Sequence, residues 1–174
     1  MNSQHGSQAG FSLVETIVAI GVLTVGTLGV AGVFTVGVQK TVSSPVELIA
    51  TQKAAAAIES VFSARDSHVV TWAQLRNVSN GGIFLNGPQP LKVEGPDGVV
   101  NTGDDGAVET VILPGPDQVL GTADDVTQTL SGYTREIRII DLTADLRSVT
   151  VTITYTIGAV VRSYVLTAYI SSFA

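Results

Sequence analysis

From Thr16 to Gln39 the chain runs for 24 residues without a charged side chain, and half of those positions are Val, Ile, Leu or Phe. At about 1.5 Å rise per residue such a run makes a helix roughly 36 Å long, against a bilayer hydrocarbon core of about 30 Å. A span of this kind crosses a membrane or lies against equally apolar surface. Charged residues make up only 14% of the chain, about half the usual share, and this run concentrates the apolar excess. A secretory signal peptide has a basic start and an apolar stretch of about 7 to 15 residues before a small-residue cleavage site. This run is longer and lacks the basic start.

Ahead of it, residues 1–10 read MNSQHGSQAG, short and polar, ending in Gly10 just before Phe11. Glu15 is the only charge before Lys40, and a carboxylate at the edge of an apolar layer is costly unless partnered. The stretch GFSLVETIVAIGVL, residues 10–23, resembles the prepilin motif of type IV pilins and type II secretion pseudopilins. The resemblance implies cleavage of the Gly10–Phe11 bond by a membrane prepilin peptidase. Phe11 would then be the N-methylated first residue, and Glu15 the carboxylate that neutralises its amine within the chain or in a neighbouring subunit. It further implies a leader at 1–10, a transmembrane and polymerisation helix at 11–39, an amphipathic continuation at 40–64 and a globular domain at 65–174. The final pair of strands is similar to those of minor pilins of the PilV type.

Downstream, Pro45 is placed to start or kink a helix. Glu47 to Phe62 carries an apolar stripe, Ile49/Ala50, Ala54, Ala57/Ile58 and Val61/Phe62, opposite Gln52, Lys53 and Glu59. Thr71 to Arg76 reads as a Thr-capped turn, and Gly81 to Leu85 with Leu91 to Val93 as short strands between Gly/Pro loops. Tyr133 to Asp141, Ser148 to Ile157 and Val160 to Ile170 alternate and are rich in Val, Ile, Thr and Tyr, predicting an antiparallel meander within 133–170 whose last two strands join at Gly158-Ala159. The fold class expected is α+β and pilin-like, a long N-terminal helix packed on a C-terminal antiparallel β-sheet.

Between helix and sheet lies a repeat. GPDGVVNTGDD, residues 95–105, recurs 20 residues later as GPDQVLGTADD, residues 115–125, with seven of eleven positions identical. Residues 94–125 hold eight carboxylates and no Lys or Arg, so all of the chain's negative excess resides there. Two readings stand side by side. In one, Ca2+ is bound by Asp97, Asn101, Asp104 and Asp105, and again by Asp117, Asp124 and Asp125, as hard oxygen ligands in flexible loops, although the spacing is not that of an EF-hand. In the other, the motifs are turn formers in solvated acidic loops.

The nine cations are scattered singly, which argues against a nucleic-acid partner. Without Cys there is no thiol nucleophile or Cys-based metal site, and no hydrolase, nucleotide-loop or metalloprotease motif occurs, so an enzyme is not expected. His68, the imidazole outside the leader, reads as a surface residue, and Trp72, Tyr133, Tyr155, Tyr164 and Tyr169 as core or strand-face residues. What the resemblance implies is a major or minor pilin or a pseudopilin. Its partners would be other pilin subunits, the prepilin peptidase and the pilus assembly platform. It would wait in the inner membrane, then join an extracellular or periplasmic filament. The alternative is an unprocessed single-pass protein displaying a calcium-dependent binding module.

Overall fold

The computed structural model describes residues 12–173, with the side chains of 36 and 38–44 excepted. Two compact units divide the chain between Ser44 and Pro45. One helix, α1 (Leu13–Asp66), contains Pro45 and contributes residues to both. In the first unit every described side chain is exposed. The hydroxyls of Thr24, Thr27 and Thr35 turn back on the carbonyls of Ile20, Leu23 and Ala31 at 2.7, 2.9 and 3.0 Å. These threonine hydroxyls are thus satisfied within the helix, as a lipid environment would require.

In the second unit α1 is followed by a 3-10 turn, Val78–Asn80, and six strands: β1 (Gln89–Pro90), β2 (Thr110–Leu113), β3 (Val126–Thr129), β4 (Tyr133–Asp141), β5 (Leu146–Ile157) and β6 (Val160–Ser171). Strands β1, β4, β5 and β6 form one sheet in that order, and β2 with β3 forms a separate antiparallel pair. The meander is as expected, with β5 two residues and β6 one residue longer than the alternating pattern marks. Gly158 at φ +62°, the first residue of the two-residue β5–β6 link, fits the type II′ hairpin that the right-handed strand twist favours.

Alternation sorts the sheet into two faces. Tyr133, Ile137 and Ile139 on β4, Val149, Val151, Ile153 and Tyr155 on β5 and Ile170 on β6 are buried in one cluster with Ala50, Ala54, Ala57, Val61 and Ala64 of α1. The helix stripe therefore lies where the periodicity puts it. Small residues on α1 let the sheet come close, and the sheet supplies the bulk; Tyr133 and Tyr155, opposite each other in register, stack at 5.9 Å. The opposite face presents Thr and Ser, a few exposed apolar side chains and the pair of charges Glu136 and Arg138.

The stretch between helix and sheet departs from the sequence expectation. Thr71 and Gln74 cap each other, Oγ1 to Oε1 at 2.8 Å, but the segment closes as a turn without extending into a helix. Neither Gly81–Leu85 nor Leu91–Val93 becomes a strand. Phe84 makes a single bridge to Asn77 and Lys92 one to Val108, while the only ladder strand there is the two-residue β1. Pro88, Pro90 and the glycines remove the donors and the stiffness that a longer ladder needs. In its place a side chain completes the free edge of β4: buried Asn77 donates to Ile137 O at 2.7 Å and accepts from Ile139 N at 2.8 Å.

Candidate functional site

Two places carry the residues singled out by the sequence. Gly10 and Phe11 lie outside the described residues. Glu15 stands in the first turn of α1. Ser12 O accepts the first helical bond, from Thr16 N at 3.1 Å, so Ser12 occupies the N-cap and Glu15 the third helical position. Ser-x-x-Glu is a helix-start pattern, and a carboxylate there faces the positive end of the helix dipole. Glu15 has a local use in starting the helix, beside any use in pairing with an amine four residues earlier. Leu13–Thr35 is long and apolar enough to cross a membrane and 0% buried.

The second place is the acidic repeat, and the two copies fold into the same loop. Asp97 Oδ1 accepts from Val99 N, and Asp117 Oδ1 from Val119 N, both at 2.9 Å. Thr102 Oγ1 donates to Asp104 Oδ1, and Thr122 Oγ1 to Asp124 Oδ1, both at 2.6 Å. Asp105 Oδ2 accepts from Asn101 N at 2.8 Å, and Asp125 Oδ2 from Gly121 N at 2.7 Å. Each copy needs two residues at positive φ, and these fall on Gly98 and Asn101 in the first and on Gln118 and Gly121 in the second. Glycine is required at the start of both: a Cβ at Gly95 would strike Asp104 Oδ2, and one at Gly115 would strike Asp124 Oδ2. The residues that differ between the copies are thus compatible with one backbone.

The surroundings of the copies differ. In the first, Val99, Val100, Asn101 and Thr102 are buried. Asn101 Nδ2 donates to Leu85 O at 3.2 Å, and Leu85 N donates to Asn101 O at 2.8 Å. Asp105, 4% exposed, faces Arg135, 2% exposed, at 3.9 Å. Arg135 also meets Glu109 at 3.3 Å and Lys92 O at 3.1 Å, and Glu109 in turn pairs with Lys53 of α1. Burial pulls the Arg135 guanidinium below its usual value, opposed by the charges of Glu109 and Asp105. The first loop is therefore seated on an ionic cluster that joins helix, loop and β4.

The second loop caps the β2–β3 pair and touches no such cluster. Val119 and Leu120, the counterparts of Val99 and Val100, are 54% and 62% exposed. Asp124 is held below the usual carboxylate range by the Thr122 hydroxyl and by Asp117 N. It stays ionised at any pH near neutrality.

Every sequence-picked Asp is engaged with its own loop's amides or hydroxyls or, for Asp105, also with Arg135. The two triads lie in separate loops. Among the described residues no group of three or more His, Asp or Glu side chains is placed to hold one metal ion. His68 is exposed, with Nδ1 3.1 Å from Asp66 O. Sequence reasoning missed Arg135, which alternation alone would put among apolar neighbours, and missed the hairpin under the second loop.

Compared with curated proteins and with solved structures, the chain gives no significant match. Residues 5–31 match a family described as the prokaryotic N-terminal methylation motif. The start of this chain, with the apolar helix that follows, therefore carries the methylation motif characteristic of type IV pilins and pseudopilins.

Proposed function

We propose that this chain is a structural subunit of a type IV pilus-like filament, made as a membrane-inserted precursor, cut after Gly10 and assembled through α1. The observation that carries the reading is the methylation motif at residues 5–31 running directly into an exposed apolar helix, with Glu15 in its first turn. Cleavage after Gly10 leaves Phe11 as the first residue. Its amine is a cation at the edge of a low-dielectric layer. One carboxylate within a helical turn lowers that cost by pairing with it. In a filament the same carboxylate reaches a neighbour's amine if subunits are staggered along their helices.

Mass spectrometry of the N-terminus tests the reading. A chain beginning at methylated Phe11 is expected, and one retaining Met1 would refute it in favour of an unprocessed membrane-anchored protein. Glu15→Ala separates processing from assembly. It makes the span more apolar and should leave membrane levels unchanged, while incorporation into filaments falls.

A further inference from the structure

Between helix and sheet two exposed asparagines, Asn80 and Asn86, are each followed by a glycine. The side-chain carbonyl of an asparagine is an electrophile within reach of the next residue's backbone nitrogen, and glycine sets no Cβ in the way. The two pairs differ in what holds that nitrogen. Gly81 N donates to Val78 O at 3.1 Å, closing the 3-10 turn. Gly87 N has no acceptor among the described residues, and a Cβ placed on Gly87 would meet nothing within 4 Å. Asn77 and Asn101 are buried, with their amides tied to the carbonyls of Ile137 and Leu85.

Two hydrogen bonds act on the groups of Asn86 that such a reaction would use. The Ser79 hydroxyl donates to Asn86 Oδ1 at 3.0 Å. It withdraws electrons from the side-chain carbonyl and stands where negative charge develops on that oxygen when a nucleophile adds. Gln89 Nε2 donates to Asn86 O at 2.9 Å. Asn86 O and Gly87 N share one conjugated peptide unit, so a donor on the oxygen makes the N–H easier to deprotonate. A free nucleophile, a polarised electrophile and an unobstructed glycine thus meet at Asn86, whereas at Asn80 the nitrogen is engaged in its turn.

We propose that Asn86 is a self-modification site, deamidated in the folded protein through a succinimide formed with Gly87. Hydroxide takes the Gly87 amide proton, and the nitrogen's electron pair attacks Asn86 Cγ to form a new C–N bond. As the tetrahedral centre collapses, the Cγ–Nδ2 bond breaks and the departing nitrogen takes a proton from water, leaving as ammonia and regenerating hydroxide. Water then opens the ring at one of its carbonyls, giving aspartate, or isoaspartate with the main chain running through Cγ. The sum is water consumed and ammonia released, with no oxidation or reduction. Either product adds a negative charge to the chain. Asn86 shares with Glu136 and Arg138 a cleft of about 260 Å3, and Arg138 is exposed without an ion pair among the described residues. The new carboxylate therefore arises beside an available cation. Isoaspartate also lengthens the backbone just ahead of β1, the short strand that pairs with β4.

The test ages full-length protein in detergent at neutral and mildly alkaline pH, folded and, in parallel, unfolded in guanidinium. Peptides from an acid digest are then read by mass spectrometry, with isoaspartate identified by enzymatic methylation of its carboxylate. In the unfolded chain Asn80 and Asn86 should convert at similar rates, since both precede glycine. In the folded chain Asn86 should continue to convert, faster as pH rises, while Asn80 falls behind it several-fold. Ser79→Ala and Gln89→Ala should each slow Asn86 several-fold in folded protein and leave its unfolded rate unchanged. A loop asparagine reacting through exposure alone would respond to neither substitution. Continued protection of Asn80 shows that each variant is folded. Folding that protects Asn86 as strongly as Asn80 would overturn the proposal, as would a folded Asn86 rate that neither substitution lowers.

Discussion

The duplicated loop allows one substitution to be made twice in the same backbone with different surroundings. Asp105→Ala removes a side chain that is 4% exposed and accepts from Asn101 N at 2.8 Å and Thr102 N at 3.2 Å while facing Arg135. Breaking a buried ion pair costs about 3–5 kcal/mol, and stranded buried donors about 1–3 kcal/mol each. These penalties overlap, and Glu109 still faces the guanidinium, so about 3–4 kcal/mol is expected. Asp125→Ala removes the same group where it has no cation and one strong acceptor role, to Gly121 N at 2.7 Å. Water can replace that bond, and about 1 kcal/mol is expected.

The assay is chemical denaturation of the full chain in detergent, read by fluorescence of Trp72, the only tryptophan, whose ring packs 3.9 Å from the Arg147 guanidinium in the second unit. Asp105→Ala should move the midpoint by about three to four times as much as Asp125→Ala. Asp105→Asn keeps one oxygen acceptor but loses the charge, so it should fall between. Equal shifts for both alanine variants would refute the claim that the first loop is seated on a buried ionic cluster.

Acid should weaken the second unit through Asp141. Burial alone would raise this carboxyl, but hydrogen bonds and charge from Arg76 and Arg147 outweigh it and set it below its usual value. Its contribution is complete above the unfolded value of about 4 and is lost as pH falls through the folded value; denaturation at stepped pH should show Asp141→Asn flattening that acid limb. Ala54→Leu adds bulk to a helix position with 0% exposure against the sheet and should cost about 1–3 kcal/mol, measured by the same denaturation. Added Ca2+ separates the two readings of the repeat. A cation site would gain about 2.7 kcal/mol at a hundredfold excess over Kd, whereas loops closed by their own hydrogen bonds gain nothing beyond what Mg2+ gives, and the bonding within each loop leads us to expect the second result in thermal melts.

The sequence made the long elements plain because their periods are strong. The uncharged run, the Ala54–Ala57–Val61 stripe and three alternating strands each contain enough residues for one face to repeat several times. What it hid depends on distant partners. Nothing in GPDGVVNTGDD or GPDQVLGTADD marks which copy is buried, since that follows from where Arg135 and Leu85 lie. The β2–β3 pair escaped because four residues hold barely two alternations, and β3 is exposed at all four positions. Sequence alone gives Glu15 an amine to pair with, while Ser12 at the N-cap supplies a second, local reason for a carboxylate there.

The last strand has a consequence for how the protein is made. β6 ends at Ser171, its Ile170 is 0% exposed, and Ser171 O accepts a bond from Arg65 of α1 at 3.0 Å, while Ser172 N reaches back to Asp145 O at 2.9 Å. The core beside α1 thus stays open until β6 has left the ribosome. A product stopped short of residue 165 would lack the buried end of β6 and leave β5 as a bare edge, open to pairing with other chains. Translation errors that truncate the chain should therefore yield material that proteases recognise, and only chains read through to the final strand should close their core.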